Sequence, residues 1–310
     1  MDGVARRALT GSALLAVALS GAFVPVRGNA RCFGGNQGRA VLSGCPTPTV
    51  EPRLLPTVLL PDAQLTLARC VQRDLDEGRW RDADARLTAA RRAGLVLDPG
   101  DRDAWDALIL RGDATRLVDG AQWSTLASVS LPGELAIPWV GPLVRGVASA
   151  RASWATQDAG LQAQARAELD RLTHMARTAG PVSEAERARL IVQGTMAGAQ
   201  YERDEMQMLL DAAHDLERRL NAGEELLAPV VLAREVEADL LLTTDRYAAA
   251  VERYRDVIAE WPRRVQPRRG LAAAYRHLGH AREAEETIAQ ARALWADADP
   301  DAASTLQPRP

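Results

Sequence analysis

The sequence contains no lysine, and its 38 basic residues are all arginines. The absence of lysine excludes a phosphate-binding loop with its lysine, a Schiff-base lysine and a Ser-Lys nucleophile pair. Aromatic residues are also scarce, with two Phe and four Tyr in 310 residues. Ala, Leu, Arg and Glu, which favour helices, are abundant, whereas the aromatic and β-branched residues that favour strands are scarce. The composition therefore favours helix over sheet. The formal net charge of −3 gives no reason to expect a nucleic-acid partner.

The first thirty residues have the features of an export signal. Arg6 and Arg7 precede an apolar run, 8–24, and small residues follow at two candidate cleavage sites, 20–22 and 28–30. We therefore expect residues 1–30 to direct the chain to the periplasm or cell envelope. The segment is either a cleaved signal peptide or an anchor that stays in the membrane. A third alternative is a cytoplasmic regulator with a misread N-terminus, which requires reduced cysteines.

The three cysteines fit an exported chain. Cys32 and Cys45 bracket a polar, glycine-rich loop, and in an oxidising compartment they can form a disulfide. The segment 42–45 also has the residue types of a bacterial lipobox, so lipidation of Cys45 is an alternative, although arginines separate it from the apolar run. Cys70 stands alone in a predicted helix, where we expect it to be a small buried residue.

Residues 31–61 are expected to form an extended arm. Five prolines between Pro46 and Pro61 exclude a helix and favour a polyproline-like backbone. The arm is too apolar for a solvated spacer, with Leu59 among its leucines. It is therefore predicted to lie along a groove, either of its own domain or of a partner.

From Asp62 to Ala298, apolar residues recur at helical spacing, and glycines separate the segments at intervals suited to helix pairs. No segment alternates with a period of two for long enough to form a strand. The sequence therefore predicts an all-α fold of five or six helical hairpins. The irregular stretch 128–142 is apolar, so its Ile137 and Trp139 are predicted either to cap a groove of the array or to dock on a partner or a lipid interface.

A period of 34 residues is readable near the C-terminus. Three pairs of residues recur at that distance, namely Ala250 and Ala284, Tyr254 and Ile288, and Val257 and Ala291. Together with Leu271, Ala272, Tyr275 and Gly279 they resemble the tetratricopeptide repeat (TPR) family. The resemblance implies a right-handed superhelix of antiparallel hairpins. We expect two TPR-like repeats over 231–298, degenerate hairpins over 62–230 and a loose tail over 299–310.

In the TPR family the concave face usually receives an extended peptide or a partner helix. If the last repeat starts at Val265, its residues Arg269, Arg276 and His277 face that side, where arginines can hold a carboxylate or an anionic headgroup. A solvated basic corner is the alternative interpretation of the arginine-rich segment 261–269. The peptide clamp of some relatives uses Lys, which this chain lacks.

Sequence motifs for catalysis are missing, including those of zinc proteases, serine hydrolases, dinucleotide-binding proteins and kinases. His277 and His280 have a spacing that can share a metal, but solvated turn residues explain them more simply. The aspartates at 297–301 lack the glycine and glutamate of a calcium loop. No metal and no cofactor are therefore predicted. Among the acidic residues, only Glu134 has a distinctive setting, in the irregular loop.

The sequence thus favours a non-enzymatic scaffold, adaptor or structural subunit that binds a periplasmic or membrane protein complex. The alternative is a cell-wall glycan-active enzyme. That enzyme requires two acidic residues that face one cleft, with a raised pKa.

Overall fold

The computed structural model describes residues 60–94, 99–120, 123–131, 135–220 and 228–306. All of them belong to one structural unit, 46–310. This part of the chain is helical and contains no strand, which confirms the predicted all-α class. The helices are α1 (Leu60–Asp76), α2 (Trp80–Gly94), α3 (Pro99–Gly120), α4 (Trp123–Leu126), α5 (Val140–Thr156), α6 (Ala159–Ala179), α7 (Glu184–Ala199), α8 (Arg203–Leu220), α9 (Ala233–Thr243), α10 (Tyr247–Glu260), α11 (Gln266–His277), α12 (Ala281–Leu294) and α13 (Pro300–Ser304).

Several predicted features lie outside the described residues, namely the signal 1–30, the arm up to Leu59, and both Cys32 and Cys45. Cys70 on α1 is buried as expected. It is also disulfide-bonded, which its solitary position in the sequence did not indicate. None of the helices in the described ranges combines the length and the apolar character needed to cross a bilayer.

The helices pack in two rows. Consecutive helices from α1 to α12 contact each other, and each odd-numbered helix from α1 to α9 also contacts the next odd-numbered one. Within the described residues, no comparably extensive contact links α6 with α8, α8 with α10, or α10 with α12. The odd-numbered helices therefore form one continuous row, and the even-numbered helices cover its other side. This arrangement is compatible with a helical-repeat architecture.

The same backbone turn recurs in four of the helix pairs. The second residue after the first helix has a positive φ at Gly78 (69°), Tyr201 (62°), Asp245 (60°) and Gly279 (77°). The next N–H then donates to a carbonyl five residues earlier, from Arg79 to Asp74, Glu202 to Ala197, Arg246 to Leu241 and His280 to Tyr275, at 2.8–2.9 Å. This is the Schellman ending of a helix. Asp245 and Gly279 are 34 residues apart, so the sequence period is also a period of the backbone.

The residues of the 34-residue pattern lie in the core. Ala250, Ala284 and Ala291 are buried at close contacts between helices. The ring of Tyr254 lies against Gly270 of the next hairpin, where an added Cβ would be 2.1 Å from the ring atom Cζ. Helices α10 and α11 can therefore approach closely only because position 270 has no side chain.

The end of the described chain packs against its beginning. The indole N–H of Trp295 donates to the carbonyl oxygen of Asp76 at 2.9 Å. The rings of Trp295 and Trp80 meet edge to face, with their centroids 5.8 Å apart. These contacts fasten the C-terminal end of α12 to the turn between α1 and α2.

Residues 299–306, which were expected to belong to a loose tail, are part of this closure. The amide of Asp299 donates to the carbonyl oxygen of Gly78 at 3.0 Å, and its carboxylate accepts from the amide of Arg81 at 2.6 Å. Ala302 and Leu306 are buried in a core that they share with α1, α2 and the first half of α3. Apolar burial and backbone hydrogen bonds therefore order this segment.

Substitution Gly270→Ala tests the close approach of α10 and α11. We expect it to lower the free energy of unfolding by about 2 kcal/mol, because overpacking of a core typically has a cost of this size. In a Tyr254→Ala background the same change should cost little, because the ring is gone. Chemical denaturation of the four proteins measures this coupling, and additive losses would show that the ring is not the obstacle.

Candidate functional site

A cavity of about 420 Å³ lies beside the row of odd-numbered helices. Helices α3, α5, α9 and α11 supply most of its lining, and Thr305 and Leu306, which follow α13, form part of its wall. The cavity therefore lies between these helices and the end of the described chain. Its aliphatic lining consists of Val118, Val231, Leu232, Val236, Leu242, Ala273, Ile288 and Leu306.

The guanidinium of Arg264 lies at the wall of this cavity and joins two carboxylates. Its Nε donates to Oε2 of Glu235 at 2.6 Å, and its Nη2 donates to Oδ1 of Asp119 at 3.1 Å. Arg264 is only 7% exposed. The side-chain amide of Gln266 also donates to the backbone oxygen of Asp119, at 2.7 Å. Residues from the end of α3, the start of α9 and the start of α11 are thus held together.

Burial changes the protonation of this cluster. It raises the pKa of Glu235 to about 7, against the lowering effect of Arg264 and with a further increase from Asp239. Burial also raises the pKa of Asp119, and it raises the pKa of the neighbouring Asp76 to about 6. Burial alone would lower the pKa of Arg264, but the adjacent Asp119 and Glu235 raise it overall. The arginine therefore stays charged, while Glu235 is partly protonated at neutral pH.

A second group of charged residues also lines the cavity. Nη1 of Arg151 lies 2.5 Å from Oδ2 of Asp239, and the hydroxyl of Tyr254 donates to Oδ1 of the same carboxylate at 2.6 Å. The guanidinium of Arg151 also lies over the ring of Trp123, 4.4 Å from its centroid. Asp239 is therefore fully engaged by groups of the protein itself.

The structure brings three predicted partner-binding residues, Arg269, Arg276 and His277, to this same cavity. Nη1 of Arg269 donates to the side-chain oxygen of Gln266. His277 is exposed and stacks on Tyr247, with the ring centroids 4.3 Å apart. The structure therefore groups these side chains on one face of α11, as expected from the sequence.

The arginines that precede them do not form a solvated corner. Arg268 is buried and donates to the carbonyl oxygens of Arg264 and Pro262, each at 2.7 Å. Of this segment, Arg263 is exposed and pairs with Glu77 of the α1–α2 turn at 2.8 Å. The segment is therefore part of the folded structure. A buried guanidinium group needs several acceptors, and backbone carbonyl oxygens supply them to Arg268.

The other two predicted residues within the described ranges lie just before α5. Ile137 and Trp139 are half-buried and pack against the larger of the two cores. The guanidinium of Arg187 lies 5.5 Å from the centroid of the Trp139 ring. Leu135, two residues before Ile137, is 95% exposed. Glu134, the candidate acid of the loop, lies outside the described residues.

The candidate metal ligands have other contacts. His280 lies against the ring of Tyr275, and Asp301 forms an ion pair with Arg81 at 3.8 Å. The described residues contain no group of three side chains suited to hold a metal ion.

Sequence reasoning missed the acidic residues of the cavity. Glu235 and Asp239 are four residues apart, so they share one face of α9, whose other residues are largely apolar. That pattern could have indicated a buried polar site. Asp119 carried no local signal, because its partner Arg264 lies 145 residues away.

No protein-family model, curated protein or solved structure shows significant similarity to this chain. Function is therefore inferred from the residues and contacts of the chain itself.

The raised pKa of Glu235 predicts that stability falls as pH rises. A carboxyl group with a higher pKa in the folded state contributes stability below its unfolded pKa, and this contribution is lost as pH rises through the folded value. For Glu235 the window runs from 4.5 to about 7, which corresponds to at most about 3 kcal/mol. Substitution Glu235→Gln should therefore flatten the decline in the free energy of unfolding over this window, measured by urea denaturation.

Glu285, which is exposed on α12, provides the matched control. We expect Glu285→Gln to leave the pH profile unchanged. An unaltered profile for Glu235→Gln would contradict the assignment.

Proposed function

We propose that the chain is a non-enzymatic, exported helical-repeat adaptor that holds a protein partner at the cell envelope. The two rows of helices and the recurring Schellman turn support an array of stacked hairpins. Such an array presents a rigid surface that holds partners by many modest contacts. On this proposal the C-terminal hairpins are TPR-like repeats, and the array has the right-handed twist that the resemblance implies.

Two features support export. The apolar segment 8–24 with its preceding arginines has the composition of an export signal. The disulfide of Cys70 fits an oxidising compartment, because cytosolic proteins seldom keep structural disulfides. The cell envelope also contains the membrane complexes that we propose as partners.

The observation that carries the adaptor proposal is the exposed Leu135. Ile137 and Trp139 pack on the core and anchor the segment before α5, while Leu135 remains almost fully in solvent. Exposing a large apolar side chain to water on an anchored loop is unfavourable, and a partner that covers the side chain would remove this cost. Leu135 is therefore assigned as the contact residue, with Ile137 and Trp139 as its support.

The glycan-active alternative has one observation in its favour. Glu235 and Asp119 face one cavity, and burial raises the pKa of both. However, the single guanidinium of Arg264 hydrogen-bonds to both carboxylates. A glycosidase needs its two carboxyl groups on opposite sides of the scissile bond, with room for the sugar between them. The bridged geometry therefore favours a structural role for this pair.

Substitution Leu135→Ser tests the partner surface. We expect it to reduce recovery of the partner in a detergent pull-down while leaving the free energy of unfolding within about 0.5 kcal/mol of the wild type, as is usual for exposed positions. Trp139→Ser should instead destabilise the chain, because its ring packs on the core.

Val182 offers a matched control, since it is another large apolar residue in solvent and lies between α6 and α7. Val182→Ser should leave partner recovery unchanged. Equal recovery with the wild type and Leu135→Ser would overturn the assignment of Leu135, and a wild-type protein that recovers no partner would overturn the adaptor proposal.

A further inference from the structure

The cavity beside α11 has the size of a small-molecule site. Its volume of about 420 Å³ falls within the range of about 300–1,000 Å³ that ligand pockets occupy. Leu135, Ile137 and Trp139 are not among its lining residues. The adaptor surface and this cavity are thus separate features of the same fold.

Basic groups outnumber acidic groups in the lining. Four arginines and three carboxylates, those of Asp119, Glu235 and Asp239, face the cavity. Arg264 and Arg151 already pair with all three carboxylates. Of the remaining two arginines, Arg276 forms no ion pair or side-chain hydrogen bond among the described residues. The lining therefore carries a positive charge that the protein itself does not neutralise.

The position of Arg276 defines where an anion can bind. It lies on α11 beside His277, whose imidazole is held in place by its stack on Tyr247. A guanidinium binds carboxylate or phosphate oxygens through two parallel N–H groups. An anion paired with Arg276 would also have the imidazole of His277 as a neighbouring donor.

The lining also contains apolar side chains, one of them close to Arg276 on α11. Ala273 lies one helical turn before Arg276 on α11, and Leu242 and Ile288 contribute branched side chains to the same lining. A ligand with an anionic end and a hydrocarbon part would place each part against matching groups. Burial of the hydrocarbon part supplies affinity, and the arginine supplies orientation.

We propose that this cavity binds an amphiphilic organic anion, with its carboxylate or phosphate group on Arg276 and its apolar part against Ala273, Leu242 and Ile288. The anion is either a free small molecule or the terminal carboxylate of an apolar peptide. The chemistry is the same in both cases, and the two sources are separable by experiment.

Isothermal titration calorimetry of the full mature protein with octanoate, octanol and octylamine tests the charge requirement. We expect binding of octanoate that weakens with salt, and much weaker binding of the neutral and cationic probes. Arg276→Gln should raise the Kd of octanoate by about tenfold, the effect of losing one charge-assisted hydrogen bond. Ala273→Phe should abolish binding, because the added ring takes the place proposed for the hydrocarbon part, one helical turn from Arg276.

The matched control is Arg282→Gln, because Arg282 is exposed on α12 and does not line the cavity. Its octanoate affinity should equal that of the wild type, and circular dichroism should show that every variant is folded. Equal binding of octylamine, or octanoate binding that survives Ala273→Phe, would overturn the proposal.

A second titration separates the two sources. A peptide that ends in a free leucine carboxylate is compared with the same peptide as its amide. Octanoate binding supports a free small molecule, whereas binding of the acid peptide alone supports a protein terminus. Binding of neither anion overturns the proposal. Leu135→Ser should bind octanoate like the wild type, so this test and that of the adaptor proposal can fail independently.

Discussion

The buried guanidinium of Arg264 is the contact on which the rest of the fold depends. It hydrogen-bonds to Glu235, 29 residues earlier, and to Asp119, 145 residues earlier. Moving a charge out of water costs several kcal/mol unless acceptors surround it. This contact is therefore stable only when α3, α9 and the start of α11 are together. The cavity and the raised pKa of Glu235 both follow from that arrangement.

The contacts between the end of the described chain and the α1–α2 turn change which surface of the helical hairpins is accessible. An open array offers its concave face along its whole length. Here Trp295 and Asp299 fasten the chain end to the α1–α2 turn, and Leu306 then forms part of the cavity wall. The end of the described chain thereby helps to enclose the space beside α11 as a cavity of about 420 Å³. Leu135, the contact residue of the adaptor proposal, is exposed and does not line this cavity.

Features set by local periodicity were predictable, and features set by long-range contacts were not. The 34-residue spacing predicted the burial of Ala250 and Ala284, because small residues at helical spacing mark close approaches. Tyr201 adopts the same turn as Gly279 without a glycine, so the hairpin α7/α8 was hidden from a search for consensus residues. The pairing of Arg264 depends on residues far away in the sequence, and no local pattern indicates it.

The absence of lysine acquires a structural meaning in this setting. Arg187, Arg264 and Arg268 are all buried, and each donates to at least two acceptors, either carboxylates or backbone carbonyls. A guanidinium has five donors in a planar fork and stays charged when buried, whereas a lysine ammonium readily loses its charge there. Only the fork can bridge Glu235 and Asp119 in a fixed plane. Arginine is therefore better suited than lysine to the buried cationic positions of this fold.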